Sequence, residues 1–196
     1  MLIMGVIPIW GLIYFGWNAG QVIVLFWVES LIVGIFTWLR VRDTERNPQG
    51  QEGPFKLSGF FLVHYGLFWA VHGVLSWVLI LIFLPDGGGW RPILGDTNFW
   101  KAVTGVALLQ TMVHWREWAR PQAWRGADPS KEMFKPYGRV VALHLAVLIG
   151  FAIAALAGGG HEVAIALCVI KLLVDVALAL WEAEFRIRFD PLVERT

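Results

Sequence analysis

Apolar runs of roughly 17 to 25 residues recur along nearly the whole chain, and each is long enough as a helix to cross a hydrocarbon core about 30 Å thick. Six fit, at about 2–18, 20–39, 57–84, 98–120, 138–157 and 161–185. The runs leave no soluble domain over. They predict an all-α polytopic membrane helix bundle of six transmembrane helices, a single integral-membrane domain over 1–196, with cytoplasmic loops at 40–56 and 121–137. Composition agrees: 57% of the 196 residues are hydrophobic and 16% charged, too apolar for a soluble domain of this length. The first run has no basic residue before it and no small-residue cleavage site after it, so it reads as a retained helix rather than a signal peptide.

The placement of charge says more than its sum of +1. Arg40, Arg42, Arg46 and Lys56 follow the second run, Arg120, Arg125, Lys131 and Lys135 follow the fourth, and Arg186, Arg188 and Arg195 lie in the tail. The opposite connections hold only Arg91 and Lys101, so by the positive-inside rule both termini face the cytoplasm. Many of the tryptophans, Trp17, Trp38, Trp90, Trp100, Trp118, Trp124 and Trp181, fall near the expected interfaces, while Trp10, Trp27 and Trp69 do not. Cys168 is the only cysteine, which excludes an intrachain disulfide and a four-thiolate metal site. A bound metal must use nitrogen and oxygen.

Between the runs, residues 40–54 read as a flexible loop, "PDGGGWRPILGD" as an external loop, and "ARPQAWRGADPSKEMFKPYG" as a solvated loop leaning on anionic headgroups. Gly59, Gly66 and Gly73 recur every seven residues on the third helix and predict close helix packing along that face. Pro8 predicts a kink in the first helix.

Ionisable groups inside a bilayer are costly, which makes each one here a functional candidate. At about 1.5 Å of rise per residue, Glu29, His72 and Lys171 fall in the middle or outer half of the membrane, and His64, His114, His144 and Asp175 fall about 10 Å above its cytoplasmic edge. His64 and His72 stand eight residues apart, about 12 Å along one helix, so they serve different layers. On that reckoning His72 looks toward Glu29 and Lys171, and His64 toward His144 with either His114 or Asp175; a carboxylate as deep as Glu29 would be protonated or need a cation, from a metal or Lys171. Ser58, Tyr65, His72 and Ser76 share one stripe, from which Tyr65 would orient or protonate whatever His72 holds. Lys171 and Asp175, four residues apart, are a candidate ion pair; Arg139 sits at a cytoplasmic mouth, where it would snorkel to a phosphate or clamp an anionic substrate.

The stretches "FWVES", "FFLVHYGLFWAVHG" and "KPYGRVVALH" together resemble an uncharacterised family of prokaryotic membrane proteins, known only as a domain of unknown function. The resemblance spans most of the chain. It implies a small polytopic protein of a prokaryotic cytoplasmic membrane with notable positions at Glu29, His64, His72 and His144, and implies no activity.

Four functional readings follow. In the first, a transition metal (zinc, iron or copper) is held by a subset of His64, His72, His144 and Glu29, with Tyr65 and Asp175 as further catalytic candidates, for hydrolysis or oxidation of a lipid or other membrane-soluble substrate. In the second, Glu29, His72, Lys171 and Asp175 form a proton pathway or part of a proton-coupled transporter. The third places a haem between His64 and His144. The fourth makes every polar group a helix-packing bond. Membrane lipids and a second copy of the chain are the expected partners, and nucleic acid is not.

Overall fold

The structure is a computed structural model that describes residues 2–46, 56–83 and 90–138, and beyond them 140–141, 144–145, 148–149, 152, 156, 164–174, 176–177 and 180. Regular structure among the described residues is helical throughout: α1 (Leu2–Phe15), α2 (Ala19–Glu45), α3 (Leu57–Phe83), α4 (Trp90–Gly95), α5 (Thr97–His114) and α6 (Pro129–Phe134). A last helix, α7 (Ala164–Val174), follows helical residues between 140 and 156. α5 runs on through a π-helical turn at Trp115–Ala119, and a 3-10 turn at Ala123–Arg125 leads to α6.

α2 is the hub. Its start is set by Asn18, whose side chain accepts from the Gln21 amide while Gln21 reaches back to the Asn18 N–H, so two of the N–H groups orphaned at a helix start are satisfied. Every residue from Ala19 to Phe26 is buried, as befits a helix that is apolar on all sides. α3, α5 and α6 pack around it. One core joins Val22, Ile23, Phe26, Ile80, Phe99 and Leu167, and a second joins Val41, Phe61, Tyr65, Met133 and Val140.

Three glycines set how closely elements approach. A Cβ at Gly11 would lie 2.0 Å from the Trp17 ring, one at Gly34 2.3 Å from Tyr65, and one at Gly73 2.6 Å from Trp27. The seven-residue glycine stripe of α3 thus matters at one of its three members: Gly59 and Gly66 face open space. Pro8 lies inside α1.

Three loop expectations need correction. Residues 40–45 are not loop, because α2 continues to Glu45, where Thr44 Oγ1 bonds back to the Arg40 carbonyl at 2.7 Å and Glu45 receives the Ser58 amide at 2.9 Å. Residues 90–95 of the external loop are helical. The long 121–137 connection is a folded cap: Asp128 caps α6, and Glu132 and Met133 are buried against α2 and α3.

Two helices, Ala19–Glu45 and Leu57–Val78, are long and apolar enough to cross a membrane. Large apolar side chains are exposed on several helices, and some polar ones are buried. Val63, Leu67 and Val74 on α3, Leu108 on α5 and Leu173 on α7 are each more than 60% exposed, while Gln21, Glu29, Ser58, Ser76 and Gln110 are buried.

Candidate functional site

The stripe Ser58, Tyr65, His72, Ser76 faces inward from α3, as heptad-like spacing requires, with Ser58, Tyr65 and Ser76 buried and His72 half-buried. Its register against α2 is locked by two indoles. Trp27 and Trp69 stack 4.3 Å apart at 8°, and each donates its Nε1–H to the other's backbone carbonyl, at 3.0 and 3.1 Å. Gly73 leaves room for the Trp27 ring. One turn toward the other end of α3, Tyr65 donates its hydroxyl to the Ser30 carbonyl at 2.8 Å, so it braces α2. Ser30 in turn donates to the Trp27 carbonyl at 2.7 Å.

On the same inward face of α3, one turn from Trp69, His72 meets His144. Their rings are 4.4 Å apart, inclined at 65°, and His72 Nε2 is hydrogen-bonded to His144 Nδ1. Phe68 covers His72 from 4.3 Å. A small cavity of about 20 Å³, the size of one water, borders His72 and is lined by Ser30, Tyr65 and Ser76 among a majority of aromatic and aliphatic groups.

A second pairing lies on another face of α2. Glu29 Oε2 stands 3.3 Å from Lys171 Nζ of α7, and both side chains are only about a tenth exposed. The Lys171 ammonium also sits 5.1 Å from the Phe26 ring centroid. A carboxylate and an ammonium that would each be costly alone are therefore mutually compensated.

The expected layers are thus regrouped. His72 faces His144 where Glu29 was expected, and Glu29 faces Lys171. His64 does not join His144: it is exposed, stacks on Phe60 at 5.3 Å and lies 6.0 Å from Tyr137. The reason is angular, since eight residues turn the helix by about 80° and carry His64 off the inward stripe. His114 stands at the end of α5 beside the Phe36 ring, 5.1 Å away. Among the described residues no three His, Cys, Asp or Glu side chains converge on a point that would hold a metal. Asp175 and Arg139 lie outside the described residues.

Two polar clusters escaped the sequence reading. At one end, Asp96 caps α5 by accepting from the Asn98 amide at 2.8 Å, and its other oxygen accepts from Trp17 Nε1 and Gln21 Nε2, both at 2.9 Å. At the other end, Arg40 is 4.0 Å from buried Glu132, which also binds Lys135, and lies over the Trp118 ring; Trp118 donates to Asp43 at 3.2 Å. Burial raises the pKa of the Tyr137 phenol, whose ring packs near Phe61, Tyr65 and Phe134. Asp96 before a helical run was a legible cap signal, but its long-range partners had none.

The chain belongs to a family described as "Family of unknown function (DUF6498)", whose model matches residues 1–187. No curated protein and no solved structure matches it.

Proposed function

We propose that this member of a family of unknown function is an integral membrane protein of six spanning helices, with both termini cytoplasmic. Its working centre is the His72–His144 pair, which exchanges protons as part of a transport process or proton pathway. The observation that carries the reading is the contact of two imidazoles supplied by separate helices, one of which, His72, also borders a small, mainly apolar cavity that Ser30, Tyr65 and Ser76 share. A neutral imidazole has one ring nitrogen that donates and one that accepts, so two rings in contact can pass a proton from one to the other. The membrane assignment is supported by the apolar exterior, the two long apolar helices and the one-sided basic loops.

A metal-dependent membrane enzyme is the second reading, and it now rests on two imidazoles alone. What favours it is that two ring nitrogens from different helices point at each other. A hydrolase or oxidoreductase built there would draw its remaining ligands from water or substrate.

The test is purified protein reconstituted in vesicles that enclose a pH-sensitive dye. The wild type should collapse an imposed pH gradient at least tenfold faster than empty vesicles, His72→Phe and His144→Phe should not, and His64→Ala should behave as wild type. No flux above background ends the proton reading. Stoichiometric transition metal in the purified protein, lost in the same two variants, selects the enzyme reading.

A further inference from the structure

The cap formed by residues 115–135 has a surface that the proton reading does not use. It carries the basic residues Arg116, Arg120, Arg125, Lys131 and Lys135 against the acidic Glu117, Asp128 and Glu132. Glu132 is buried and held by Arg40 and Lys135, which leaves Arg116, Arg120, Arg125 and Lys131 at the surface against Glu117 and Asp128. The outward charge is therefore positive.

Among these cations stand two large exposed rings, Trp115 and Phe134, at 56% and 63%. The Arg120 guanidinium lies 5.7 Å from the Trp115 ring centroid, so cation and ring share one patch. In bulk water exposed rings gain nothing. At the headgroup level, an aromatic body enters the acyl boundary while neighbouring guanidinium and ammonium groups meet phosphate.

The cap's fold makes the patch a built surface: its 3-10 turn, α6 and buried Met133 are anchored on α2 and α3. We infer that this cap is a docking surface for anionic phospholipid, with Arg116, Arg120 and Lys131 meeting the headgroup phosphates and Trp115 and Phe134 seated in the interface. Charge complementarity selects this occupant, because the cytoplasmic leaflet is the anionic one and basic loops mark this face as cytoplasmic. The inference rests on the membrane part of the proposed function and is independent of the imidazole pair.

Native mass spectrometry of the full chain, extracted from bilayers of equal phosphatidylglycerol and phosphatidylcholine, tests it. The wild type should retain the anionic lipid at least threefold over the neutral one, and Arg116→Gln/Arg120→Gln/Lys131→Gln should bring the ratio near one. Lys101→Gln, an exposed cation at the start of α5, should leave the ratio unchanged. Equal retention of both lipids by the wild type, or an undiminished preference in the triple variant, overturns the inference. Failure of the chain to enter bilayers overturns the membrane reading as well, whereas entry without lipid preference overturns the docking surface alone. Thermal melting of each variant in detergent separates lost binding from lost folding.

Discussion

Trp27 and Trp69 hold each other through a reciprocal exchange in which each indole N–H donates to the other residue's carbonyl while the rings lie face to face. A backbone carbonyl inside an α-helix already accepts from the amide four residues on, so each indole bond uses a second lone pair. The clasp ties α2 to α3 one turn before His72.

Gly73→Ala should loosen it. The added methyl would stand 2.6 Å from the Trp27 ring, and the ring cannot move without surrendering its bond to the Trp69 carbonyl. A loss of about 1–3 kcal/mol is expected by thermal unfolding in detergent. Gly66→Ala, which meets nothing within 4 Å, should be neutral or slightly stabilising. Equal effects at both positions would show that the clasp does not control this packing.

Glu29 and Lys171 predict a non-additive pair. Lys171→Met leaves a buried carboxylate and Glu29→Gln a buried ammonium, each costing about 3–5 kcal/mol. The double variant should recover most of that loss in the same unfolding measurement. Additive losses would mean that the two groups are supported independently.

The Asp96 carboxylate gathers three donors from α2, the turn before it and α5. Asp96→Ala should cost about 2 kcal/mol through the lost cap and two orphaned side-chain donors, and Asp96→Asn less, since its amide oxygen still accepts. Midpoints of chemical unfolding give the order; Asn as damaging as Ala would point to the charge itself.

Gln110 Oε1 is buried without a hydrogen-bond partner among the described residues. Gln110→Leu should therefore leave stability unchanged or raise it by about 1 kcal/mol. A marked loss in thermal midpoint would reveal a partner, such as an ordered water.

Periodicity was the legible part of this chain. Apolar runs marked the helices, and the spacing of Ser58, Tyr65, His72 and Ser76 marked the inward face of α3, because both depend only on the pitch of a helix. Depth estimates placed His72 and His144 in different layers, yet the two rings touch. The miss has a physical source: α3 spans Leu57–Phe83, close to the expected run, but depths counted along separate runs fix no offset or tilt of one helix against the next. Lys171 as the cation for Glu29 was legible, because a buried carboxylate needs one; the rotation that carries His64 to the exterior is set by packing partners remote in the chain. The clasp of Trp27 and Trp69 left no local trace at all.

The Glu29–Lys171 contact joins residues 142 positions apart. During synthesis the carboxyl group of α2 must be committed to the nascent bundle long before the lysine of α7 has been translated. Until then the acid lacks its partner ammonium, and a charge in so apolar a setting is costly without one. Chains that terminate short of residue 171 retain that acid without its counterion, a ready mark by which quality control can recognise an unfinished copy.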